Sequence, residues 1–228
     1  MDFDRNASPI NPLPWVCWLL ALPIAIIEIA LSLAGMGMIG GEQAVGWRIE
    51  AIQQVAISGP LFDWMVSQGH YSADLLARFV LYPFVHYGPV QAVFVVVFIL
   101  AIGKFVSEVF RPWAVILLFF ASAILGGVAY GALSTNNVPL FGGYPPVYGL
   151  IGGLSFILWT RLGGRASNRL GAFTLIGFLL GFQFLFSVFI SGAQEWIVDL
   201  AGFLTGFFLS FVVAPGGIRR AVERIRQR

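Results

Sequence analysis

Gly142-Gly143-Tyr144-Pro145-Pro146-Val147-Tyr148-Gly149-Leu150-Ile151-Gly152 is the stretch on which the reading of this chain turns. A glycine pair gives way to two prolines and then to an aromatic-Gly-Leu-x-Gly run. Two prolines in succession suit the opening of a helix, because first-turn amides have no intrahelical partner. Gly149, Gly152 and Gly153 then give that helix a smooth face on which another backbone can pack. The segment reads as a loop leading into a closely packed helix.

Outward from this stretch, the composition is that of a membrane protein. Hydrophobic residues make up 58% of the chain and charged residues 11%, and the mean hydropathy is +0.86, above the range of soluble domains. With about 20 residues needed per span, 228 residues make one polytopic domain. A net charge of +2 is too small for nucleic-acid binding. Cys17 is the single cysteine, so no disulfide forms within the chain. No cluster of Cys, His and carboxylates has metal-ligand spacing, and nothing calls for a cofactor. The first apolar stretch follows Asp2 and Asp4 without a small-residue cleavage site and reads as a retained helix.

Apolar runs at 13–35, 79–103, 112–133, 146–160, 170–191 and 196–214 predict an all-α bundle of six transmembrane helices. Residues 1–12 form an N-terminal segment, 13–214 the membrane domain with a long outer loop at 36–78, and 215–228 a basic tail. In that loop Val45, Ile49, Ile52, Val55 and Ala56 recur at helical spacing. They predict a short interfacial helix, with Trp47 and Trp64 as anchors.

Charge sets the expected orientation. With both termini inside, Arg5, Lys104, Arg111, Arg161, Arg165, Arg169, Arg219, Arg220, Arg224, Arg226 and Arg228 are cytoplasmic. Arg48 and Arg78 alone fall outside, against Glu42, Glu50, Asp63, Asp74, Glu195 and Asp199. The positive-inside rule places both termini in the cytoplasm, in a membrane of the bacterial inner type. The tail from Ile218 to Arg228 is also able to touch anionic lipid.

Three regions together resemble the rhomboid core over about residues 78–214. His86 matches the first histidine of the family's second-span motif; Gln91 stands where the second histidine falls, and Val95 where the oxyanion asparagine falls. Arg78 is similar to an arginine that often precedes this segment. Alignment on Tyr148-Gly149-Leu150-Ile151-Gly152 puts Tyr144 at the nucleophile position, and alignment on the glycine pair puts Pro145 there. In the last span Asp199 takes the place of the catalytic histidine, followed by Ala201, Gly202 and Gly206 at the family's spacing. Glu108 sits one residue further from Gly103 than the family pattern. The resemblance implies packing of the fourth span on the sixth through Gly149, Gly152, Gly202 and Gly206. It also implies a dyad whose serine and histidine are both replaced, hence no catalytic residues.

Several polar positions carry two readings each. Tyr144 and Asp199 form either a structural hydrogen bond or a catalytic pair, and a phenol is a poor nucleophile for amides. His86 is a hydrogen-bonded structural residue or a relay without a companion. Glu28, the one acid deep in the first span, is a functional carboxylate or a helix-to-helix bond to a neighbour such as Ser32. Phe178, Phe182, Phe184, Phe186 and Phe189 face lipid, or with Gly171, Gly177 and Gly181 line a groove for a partner's transmembrane helix. The expected function is that of the inactive rhomboids and derlins. Such a protein binds transmembrane helices of other membrane proteins, as an adaptor or as a subunit of a larger complex. The alternatives are an intramembrane hydrolase using Ser134 or Ser191, and a transporter or channel.

Overall fold

The computed structural model describes residues 12–134, 137–161, 170–186 and 195–214, with all their side chains except those of 180 and 182–186. Arg5, Arg165, Arg169, Phe189, Ser191, the basic tail, and the side chains of Phe182, Phe184 and Phe186 lie outside the described residues. Nine α-helices occur among the described residues: α1 (Trp15–Gly35), α2 (Trp47–Val55), α3 (Gly59–Gln68), α4 (Ala73–Leu81), α5 (Pro89–Ser107), α6 (Pro112–Leu133), α7 (Tyr144–Arg161), α8 (Thr174–Phe186) and α9 (Glu195–Val213). Four of them, α1, α5, α6 and α9, are long and apolar enough to cross a membrane. Short 3-10 turns precede α2 (Glu42–Gly46), follow α4 (Tyr82–Phe84) and lead into α8 (Leu170–Phe173).

The local chemistry explains most boundaries. Pro112 opens α6 after an extended Arg111, and Tyr144-Pro145-Pro146 forms the first turn of α7, where missing amides cost nothing. The run expected at 79–103 is two elements rather than one. Pro83 sits in a 3-10 turn, Gly88 is fully extended, and Pro89 begins a new helix. A proline removes a donor and disfavours helix in the residue before it, so α4 ends and α5 starts afresh eight residues later. His86 consequently lies on the connecting loop and not inside a span. The long loop holds three α-helices and a 3-10 turn where one interfacial helix was expected. Val45 and Ile49 are exposed, as are Trp47 and Trp64, while Ala56 is buried.

α7 is the central helix, buried from Pro145 to Gly153 and packed on α5, α6 and α9. It is glycine-rich because its neighbours touch its backbone. A Cβ on Gly206 of α9 would overlap the Gly149 carbonyl, and one on Gly202 would overlap the Pro145 carbonyl. In return, a Cβ on Gly152 would overlap the Phe203 carbonyl. Lipid tails are as apolar as leucine, so such close approach, through dispersion, is what holds membrane helices together. Further along the same pair, Phe156 packs edge-on against Phe207 and Phe211. α1 packs on α5, and α3 and α4 on α6. α3 seats Phe62 where a Cβ on Gly131 would stand. α8 packs on the core through Ile176 and Leu179, while Gly177 and Gly181 have open space and Phe178 is 71% exposed.

Two glycine substitutions separate packing from propensity. Gly206→Ala forces α7 and α9 apart and lowers stability by roughly 1–3 kcal/mol, the range for overpacking. Gly177→Ala meets nothing and raises helix stability by about 0.5–1 kcal/mol through propensity. Thermal unfolding of both variants in detergent micelles checks the pair.

Candidate functional site

The loop at 140–143 is held from three sides before α7 begins. Leu140 pairs with Ile57 of the long loop through two backbone bonds, Ile57 N–H to the Leu140 carbonyl at 3.1 Å and Leu140 N–H to the Ile57 carbonyl at 2.7 Å. Gly142 N–H donates to the Tyr82 carbonyl at 2.9 Å. Gly143 N–H donates to His86 Nε2 at 3.1 Å. Gly142 has φ +99°, a conformation open to glycine and costly for other residues. Gly143 lies so close to α5 that an added Cβ would stand 2.6 Å from Val95 Cγ1 and 3.0 Å from the Pro83 carbonyl. His86, Gln91 and Val95, spread over ten residues of sequence, thus meet the glycine pair at one place.

Both glycine amides there are spent, and Gln91 Nε2 is the side-chain donor that lies beside them. Gln91 Oε1 accepts from Tyr87 N–H at 2.9 Å, and its Nε2 lies near Gly142. Both glycine amides point at protein acceptors, and Pro145 and Pro146 have no N–H. Val95 contributes a methyl group. Stabilising an oxyanion needs two or more donors converging on a vacant position. His86, 1% exposed, accepts through Nε2, so that nitrogen carries no proton in this arrangement.

Glu28 belongs to the same network. Arg48 of α2 grips its carboxylate with two nitrogens, Nη2 to Oε1 at 2.7 Å and Nη1 to Oε2 at 3.0 Å. Nη1 also donates to the His86 carbonyl at 2.8 Å, and Nη2 to Ser32 Oγ at 3.2 Å. Ser32 itself donates to Glu28 Oε1 at 2.8 Å, a bond within α1 where one of the two sequence readings had a helix-to-helix bond. A bidentate guanidinium–carboxylate pair is the strong form of this contact. A continuous chain therefore runs from α1 through Arg48 and His86 to Gly143 at the mouth of α7. Arg78, the other arginine of this region, donates to the Gln53 and Ala56 carbonyls at 2.9 and 2.8 Å and so caps the end of α2.

Asp199 is 2% exposed near the start of α9. Tyr82, Tyr144 and Tyr148 all lie within its electrostatic reach. Tyr82 also donates to the Ala123 carbonyl at 2.9 Å. Among the described residues no three of His, Cys, Asp and Glu converge as metal ligands would. Sequence reasoning placed Tyr144, Asp199, His86, Gln91 and Val95 in one region and missed three residues that organise it. These are Arg48, which clamps Glu28; Tyr82, within electrostatic reach of Asp199; and Ser122, against which Gly149 packs.

A helical membrane bundle with a glycine loop opening its central helix is the class these features define. The family model for the Rhomboid domain matches residues 74–216, well over half of the chain. The chain belongs to the rhomboid superfamily, as the three regions of resemblance implied. No curated protein matches it.

The charge pair carries a direct test. Arg48→Ala leaves Glu28 buried without its partner and costs roughly 3–5 kcal/mol, toward the lower end because the Arg48 side chain is 20% exposed. Glu28→Gln combined with Arg48→Ala costs clearly less than Arg48→Ala alone. Unfolding curves of the three proteins in one detergent give the comparison.

Proposed function

We propose that this rhomboid has given up proteolysis and binds transmembrane helices of partner proteins, as an adaptor or as an accessory subunit of a larger membrane complex. Six helices, α1, α5, α6, α7, α8 and α9, make up its transmembrane set, with both termini in the cytoplasm of a bacterial inner membrane. The charge asymmetry supports that orientation, because nearly all basic residues fall on one side of the expected spans. The loop end, with Asp199 and the glycine pair, then faces outward.

The observation that supports the reading is the scarcity of free donors around the glycine pair, where Gln91 Nε2 is the side-chain donor at hand. Val95 sits under Gly143 where a donor would be needed, and both neighbouring glycine amides are engaged. Tyr144 and Asp199 at the dyad positions supply neither an activated hydroxyl nor a general base of suitable basicity. Meanwhile the backbone contacts that shape the bundle persist. What such a scaffold retains is a lipid-facing helix, α8, with small residues and an exposed phenylalanine along its side. Small residues let a second helix approach closely, which is how partners associate in lipid.

Two measurements test this reading. A fluorophosphonate probe leaves the purified protein unlabelled, and labelling that disappears on Ser134→Ala or on Ser191→Ala overturns the pseudoprotease reading. A photo-crosslinking residue at Phe178 captures transmembrane helices in native membranes, and one at Trp113 on α6 does not. Equal capture at both positions removes the partner groove. A stoichiometric partner that survives mild detergent marks a subunit, and one that exchanges marks an adaptor.

A further inference from the structure

His86 holds the loop before α7 through an atom whose hydrogen-bonding role reverses with acid. Its Nε2 accepts from Gly143 N–H at 3.1 Å, while its carbonyl accepts from Arg48 Nη1 at 2.8 Å. The neutral ring therefore carries its proton on Nδ1, on the side of the Phe84 carbonyl. A second proton goes to Nε2 and meets the Gly143 amide donor against donor. Neither side yields freely. His86 is 1% exposed, and Gly143 has Val95 Cγ1 and the Pro83 carbonyl against it.

The charges that face the ring come from two helices, Glu28 on α1 and Arg48 on α2. Glu28 favours a positive ring, but both of its oxygens are already held by Arg48. From α5 come Gln91 and Val95, which do not titrate. Tyr82 and Tyr144, the phenols nearest in sequence to the two ends of the bond, stay neutral below about pH 9. The acids of α9, Glu195 and Asp199, act on Tyr130, Tyr144 and Tyr148.

The other attachments of the loop are backbone bonds, two between Ile57 and Leu140 and one from Gly142 to the Tyr82 carbonyl. The α7–α9 seam is held by glycine backbone contact. Acid therefore acts on the loop through His86 and leaves the seam alone, the pattern of a local opening.

We propose that the His86–Gly143 bond is an acid-sensitive latch, whose protonation frees the loop at 140–143 while α6, α7 and α9 stay packed. The latch holds whichever side of the membrane the loop end faces, and whether or not the protein cleaves anything. Its sign follows from the ring's surroundings. Burial holds the His86 imidazole down to about 4; Glu28 and the Phe84 carbonyl oppose that shift, and Arg48 adds to it. In water the ring returns to about 6.5. The open form thus takes up the proton first. The closed form keeps its full advantage above about pH 6.5 and loses it as pH falls toward 4. Between pH 7 and pH 5 the open population rises about twentyfold.

Two measurements on the whole chain in detergent micelles test the latch. Nitrogen-15 NMR, with His70→Gln leaving His86 as the single histidine, finds the ring proton on Nδ1 at neutral pH. Amide hydrogen exchange, scaled to the intrinsic rate at each pH, shows protection at 140–143 falling about twentyfold from pH 7 to pH 5, with α6 and α9 unchanged. His86→Gln keeps an acceptor that does not titrate, and its loop protection is the same at both pH values. The NMR and exchange of protein retaining His86 decide the case if His86→Gln does not fold. A proton on Nε2 at neutral pH, undiminished protection at 140–143 in acid, equal loss in α9, or an acid response that survives in His86→Gln overturns the proposal.

Discussion

The contact on which this architecture depends is backbone against backbone between α7 and α9. Gly206 rests on the Gly149 carbonyl and Gly202 on the Pro145 carbonyl, with Gly152 against Phe203 from the other side. Two helices this close have one relative register, because a shift of either by a single residue would bring a side chain into the seam. That register is what brings Asp199 to the tyrosines at the opening of α7. The position of the polar cluster is therefore a consequence of helix packing, without polar contacts having to find one another first. The same seam makes α7 an interior helix, hemmed in by α5 and α6 as well.

A second constraint ties the loop end to this core. A carboxylate inside a span is costly unless paired, and Glu28 is paired by an arginine that the chain brings back from twenty residues further on. The same guanidinium holds the His86 carbonyl, and His86 holds Gly143. One ion pair thus fixes α2 over the end of α1, orients the loop before α5, and sets the loop before α7. The amides of Gly142 and Gly143 are both committed to protein acceptors within this network.

How much of this was legible in the sequence depends on the kind of signal. The α6 span, 112–133, was read to the residue because Pro112 opens it and a continuous apolar run fills it. The opening of α7 on Tyr144-Pro145-Pro146 was readable from proline chemistry, and the glycine seam from what the family resemblance implies for these small residues. The run at 79–103 was misread because hydropathy averages across a break. Phe79 to Val85 is as apolar as a span, yet Pro83 and Gly88-Pro89 interrupt the helix there. The prolines were visible, but the apolar run was given more weight.

The pairing of Glu28 with Arg48 shows a different limit. Hydropathy and periodicity describe one segment at a time, and this bond joins two segments across a reversal of the chain. A charge-balance argument would have reached it: a buried carboxylate needs a cation, and between Glu28 and Arg78 the sole Lys or Arg is Arg48. Arg48 also stands among the loop charges that orient the spans, so its sequence context alone does not single out its pairing with Glu28. Val95 offered no such clue, since a valine in an apolar helix is ordinary wherever it points. Its meaning comes entirely from Gly143, whose missing side chain leaves room for that methyl group. That contact comes from the folded arrangement of α5 against the loop, which no pattern along a single segment displays.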